Sequence, residues 1–163
     1  MPRSTGPSRQ LATSAPELWE ALAGDAAAES PLWGQAVRAD PERVAVFGNL
    51  VPEQFALGVE TIYEGYLLHY GRPRLFAPPD EDVGLLLGDY LYAHGLVRIA
   101  ATGELEAVAA LADLISTCAA LRADGEDADA DGEAWVACAG RLGGEPGAEA
   151  VERCLGAHAE RVG

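Results

Sequence analysis

The chain has 163 residues, 49% of them apolar, which suits a single domain with a sizeable core and argues against global disorder. Its net charge is −15, carried against eleven arginines and no lysine, so nucleic acid and anionic membrane surfaces of the same sign are disfavoured as partners. Cys118, Cys138 and Cys154 are scattered and odd in number, as expected of reduced thiols in a cytoplasmic protein.

Residues 1–13 read as a disordered tail, too polar for a secretory signal, followed by a single helical domain over 14–163. Ser14 and Glu17 fit a capping box that opens a helix to about Glu29. Ser30-Pro31 and Asp40-Pro41 each predict a short helix, because a proline in the first turn has no partnered N–H to lose. Pro52 opens a long helix to about Tyr70. Phe55, Val59, Ile62, Tyr63, Tyr66 and Tyr70 form its core face, and Glu53, Leu57, Glu60, Glu64 and Leu68 form a second stripe.

After the Gly71-Arg72-Pro73 break, Asp80 or Asp82 caps a helix over Val83–Ala101. It is apolar nearly all round and is expected at the centre of the fold, not across a bilayer, since Asp89, His94 and Arg98 interrupt it. Gly84, Gly88 and Gly95 imply a close helix contact. Asp89, the carboxylate inside this apolar helix, needs a partner, for which Arg98, His94, His69 and Arg72 are available. A helix over Glu104–Arg122 follows, then an acidic loop over Asp124–Glu133, a short helix carrying Trp135, Cys138 and Leu142, and a last helix over Ala148–Val162 with Val151, Leu155 and His158 inward. No strand pattern or repeat is visible, so the expectation is an all-α, irregular helical bundle.

Asp127, Asp129 and Asp131 followed by Gly132 begin like a calcium loop, but the twelfth position is Cys138 where a bidentate glutamate is needed, and the run reads as a solvated linker. Cys154 and His158 share a helix face without a second pair to complete a metal site; a buried thiol and a hydrogen-bonded imidazole are expected there. No metal site and no catalytic residue is assigned.

Leu86-Leu-Gly-Asp-Tyr-Leu-Tyr-Ala93, with Gly71-Arg72-Pro73 upstream, resembles a motif of isoprenyl diphosphate synthases. The window matching that family's first aspartate-rich motif runs from Glu60 to Glu64 and keeps two carboxylates one turn apart. Its middle carboxylate is replaced by Thr61, the arginines before Gly-Arg-Pro are replaced by His69 and Tyr70, and no second aspartate-rich motif follows. The resemblance implies a fold like part of the isoprenoid synthase fold. It also implies a degenerate, non-catalytic domain that binds a prenyl-type ligand or a partner subunit, with Glu60, Glu64, Arg72 and Asp89 as the ligand-binding residues. Homodimerisation, or pairing with a related synthase-like subunit, is the expected assembly, with five tyrosines crowding the two long helices. A helical interaction or scaffold protein without a small-molecule site is the alternative. An active prenyltransferase, which alone would call for Mg²⁺, is a second alternative.

Overall fold

The computed structural model describes residues 15–163. The expected tail and the Ser14 cap lie outside the described residues, as does the side chain of Ala15. Among the described residues the fold is all-helical, with seven α-helices packed as a bundle: α1 (Ala15–Glu29), α2 (Pro31–Gln35), α3 (Glu53–Tyr70), α4 (Glu81–Ala100), α5 (Leu105–Ala123), α6 (Ala128–Arg141) and α7 (Ala148–Val162). A 3-10 turn, Phe47–Leu50, precedes α3. No described helix is long and apolar enough to cross a membrane.

Local sequence accounts for most boundaries. The Ser30 side chain accepts from Leu32 N at 3.2 Å and starts α2 at Pro31. The Asp80 carboxylate accepts from Val83 N at 2.9 Å and starts α4. The Asp40-Pro41 helix does not form. That segment is drawn out along the loop after α3, where Glu42 N donates to Arg74 O at 3.0 Å and Val44 O accepts from the Arg74 guanidinium at 2.9 Å. The acidic loop is also shorter than expected, because α6 begins at Ala128. Asp127 caps it through Asp129 N and Ala130 N, and carboxylates at a helix start complement its dipole.

The centre of the fold is the antiparallel pair α3 and α4. The two helices approach through glycines: a Cβ on Gly65 would lie 2.9 Å from Gly88 O, and one on Gly95 would lie 3.0 Å from Gly58 O and overlap Ile62. These glycines, costly to helix propensity in isolation, therefore permit backbone contact. One core lies between α3, α5, α6, α7 and the 3-10 turn, around Phe47, Ile62, Tyr63, Leu111 and Trp135. A second, smaller core packs α1 and the 75–76 segment on α4, through Leu18, Trp19, Leu22, Phe76, Leu87 and Leu91.

The expected central burial of α4 is corrected. Gly88, Leu91, Gly95 and Ile99 are buried, but the stripe Asp82, Leu86, Asp89, Ala93, Val97 and Ala100 is exposed, with Leu86 at 58% and Val97 at 63% of full exposure. α4 packs on α3, α5 and the smaller core over only part of its circumference, so uniform apolarity leaves one face without cover.

Candidate functional site

Glu60 and Glu64 stand one turn apart on α3, and the side chain that lies between them is Arg74. Arg74 Nε donates to Glu64 Oε2 at 2.9 Å, and its Nη1 pairs with Glu60 Oε2. The other carboxylate oxygens are held by backbone: Glu60 Oε1 accepts from Val46 N (2.9 Å) and Gly48 N (2.6 Å), and Glu64 Oε1 accepts from Leu75 N (2.7 Å). All three side chains are fully buried. Burial by itself would lower the Arg74 pKa, but the two carboxylates more than reverse this and hold it above the ordinary value. The guanidinium also lies 4.8 Å over Trp19 and 4.9 Å over Tyr63, so it joins the smaller core to the larger one.

This arrangement uses the oxygens that a diphosphate-bound cation would need. The carboxylate pair neutralises a cation of its own chain and fixes the loop before α3 and the loop after it onto that helix. Gly48 is required for the approach, since a Cβ there would lie 2.7 Å from Glu60 Cγ.

Arg72 and Asp89 are not brought to this network. Arg72 is exposed, and its main chain bonds to α7 through Arg161 O at 2.9 Å. The Asp89 side chain is 72% exposed and lies 3.1 Å from His69 Nε2, so the expectation of a buried carboxylate is overturned for it. His94 and Arg98 both turn to Asp25 of α1 instead. Sequence reasoning passed over Arg74, which carries no local sign of burial in the sequence, because the two carboxylates that permit it lie 14 and 10 positions earlier on α3.

A second buried network ties α7 to the body. Tyr66 donates to Asp131 Oδ2, and Arg122 Nε lies 3.0 Å from the same oxygen, so the third acid of the calcium-like run serves an internal ion pair. Tyr63 Oη lies 2.9 Å from His158 Nδ1, and His158 Nε2 lies 3.2 Å from Ala128 O. A carbonyl can only accept, so Nε2 carries the proton and Nδ1 accepts from the tyrosine. Cys154, on the same helix as His158, donates to Val46 O at 3.1 Å, just before the 3-10 turn. Among the described residues, no three His, Cys, Asp or Glu side chains converge as metal ligands. Burial pushes the thiols of Cys118 and Cys138 up to about 12 and about 11, so both are protonated at neutral pH.

Burial lowers the His158 pKa, against the opposing pull of Ala128 O, Asp131 and Asp129. The unfolded chain thus takes up a proton below about pH 6.5 that the folded chain resists, and stability falls as pH drops through that value. Urea midpoints measured from pH 7.5 down to pH 5 should decline in the wild type. His158→Gln should flatten that decline by up to about 1.4 kcal/mol per pH unit, the limit for one proton. Parallel curves for the two proteins would mean that His158 is not responsible.

The exposed side of α4 presents an apolar and aromatic face. Leu86, Tyr90, Ala93 and Val97 follow at intervals of four, three and four, and Leu85 is exposed beside them. Tyr90 is stacked on Trp33 of α2 (centroids 6.1 Å apart) and on His94 (5.4 Å), and Leu32 is exposed next to Trp33. All three rings are half-buried, and Trp33 and Tyr90 pack against the smaller core. A smaller groove of about 180 Å³ lies between α5 and α6, floored by Ala110, Leu114 and Cys138, with the Asp113–Arg141 ion pair among its lining residues.

The tyrosines that suggested a dimer belong to the chain's own packing. Tyr63 and Tyr66 are fully buried, and Tyr70, Tyr90 and Tyr92 are half-buried against the two cores. No family model, curated protein or solved structure matches this chain.

Proposed function

We propose that this chain acts as a non-catalytic helical subunit that binds a partner protein through the outer face of α4. The observation that carries the reading is that face: Leu85, Leu86 and Val97 stand in solvent around a supported Trp33–Tyr90 stack, on a chain whose other surface is strongly acidic. Tryptophan and tyrosine are enriched among the energetically dominant residues of protein interfaces, and the contacts around them serve to exclude water. The engagement of Glu60 and Glu64 by Arg74 supports the same reading, because it takes up the carboxylates that a diphosphate-binding site would use. The resemblance of the stretch from about Val59 to Arg122 to isoprenyl diphosphate synthases makes a related synthase-like subunit the partner class that follows, with a second copy of the chain as the other occupant of the face.

The test is the mass of the native assembly, compared between the wild type and the double variant Leu86→Ser, Val97→Ser. Both positions are exposed, so the substitutions should leave the fold's stability within about 0.5 kcal/mol. The wild type should run in a complex heavier than its own 17.0 kDa when purified under native conditions, and the double variant should run alone. A doubled mass by light scattering on the pure protein would assign the face to a second copy. A wild type that runs alone both when natively purified and at high concentration would end the proposal.

A further inference from the structure

The charges around the α4 face identify the chemistry of its occupant. Asp82 and Asp89 lie on the exposed stripe itself, alternating with Leu86, Ala93 and Val97. Glu29, exposed at the end of α1, also acts on Tyr90 and, after burial, helps to hold its hydroxyl pKa up. The one arginine of α4, Arg98, is turned to Asp25 and so neutralises a neighbour instead of facing outward, and His94 lies beside the same carboxylate. The face is thus an apolar and aromatic centre with an acidic rim. A second copy would set that rim against itself on a molecule already at −15, and like charges across an interface oppose association. An anionic bilayer is opposed for the same reason.

We infer that the α4 face takes an amphipathic helix of a different protein, one whose apolar ridge is flanked by lysine or arginine. This rests on the partner-binding reading and names the partner's chemistry. The ridge packs on Leu86, Tyr90 and Val97 beside Trp33, and the flanking cations reach Glu29, Asp82 and Asp89. Apolar contact sets the dissociation rate, while the rim sets approach and salt dependence.

The experiment titrates the full chain, by calorimetry, with a synthetic helical peptide bearing a leucine ridge flanked by lysines, and with its twin bearing glutamates in their place. The lysine peptide should bind saturably and the glutamate peptide should not. Three variants then separate the causes. The rim triple Glu29→Gln, Asp82→Asn, Asp89→Asn should weaken binding at least about tenfold. A control triple of equal net charge, Glu106→Gln, Glu133→Gln, Glu152→Gln, alters exposed acids on α5, α6 and α7 and should change it less than about twofold. The pair Leu86→Ser, Val97→Ser should also weaken it at least about tenfold. Equal loss in the two triples would mean diffuse attraction to an acidic chain and would overturn the inference, as would equal binding of the two peptides or no binding of either. Loss in the serine pair with no effect of the rim triple would leave the partner-binding reading standing and remove the basic partner.

Discussion

Replacing Arg74 with methionine is expected to destabilise the fold by about 3–5 kcal/mol, the range found when one member of a buried charge cluster is removed. Methionine matches much of the side chain's length, so the lost volume is a minor part of the effect. The main cost is that Glu60 and Glu64, fully buried one turn apart, would be left as two carboxylates with only backbone N–H groups for partners. The contact of the guanidinium with Trp19 and Tyr63 would go with it, loosening the smaller core from the larger. The urea midpoint of Arg74→Met should therefore drop sharply at pH 7. The triple variant Arg74→Met, Glu60→Gln, Glu64→Gln should recover part of the loss, since neutral amides keep some of the hydrogen bonds without the buried charge. A loss below about 1 kcal/mol in the single variant, under the range for a broken buried pair, would contradict the role assigned to Arg74.

Gly95→Ala is the second large effect expected, at about 1–3 kcal/mol or somewhat more, although on an isolated helix the same change stabilises by roughly 1 kcal/mol. The sign reverses because the new methyl would overlap Ile62 Cγ1 and lie 3.0 Å from Gly58 O. Neither neighbour yields easily: one belongs to a fully buried side chain and the other to the α3 backbone. Ile62→Ala removes the first obstruction, so the double variant should be more stable than the sum of the single losses predicts, with a coupling of about 0.5–3 kcal/mol. Strict additivity in denaturation experiments would show that the two helices do not meet through these residues.

Local rules settled a good deal. Helical spacing on Phe55, Val59, Ile62, Tyr63 and Tyr66 placed the core face of α3 correctly, and Ser30 and Asp80 cap where a cap was expected. The inference from Gly88 and Gly95 to a close helix contact also matches the α3–α4 packing. The core face and the caps depend on residues within a turn or two of one another, and the interactions that cause them act at that range.

Other features depended on partners far away in the chain. Glu60 and Glu64 are legible as a carboxylate pair on one face, but whether that face opens on a cavity or closes on a cation is decided by Arg74, beyond the end of α3. The same holds for Asp127–Asp131, where the calcium-like spacing says nothing of Arg122 and Tyr66, which take Asp131 inward. Asp89 and the α4 stripe fail in the opposite direction: composition argued for burial, and the helix emerged with one side uncovered. The sequence by itself determined an acidic, all-helical chain, most of its helices and the two faces of α3. Only the tertiary structure decided which charges are buried and which apolar side chains are exposed, because burial is set by what packs against a helix from elsewhere in the chain, and hydrophobicity is a preference that a small bundle cannot satisfy on every face.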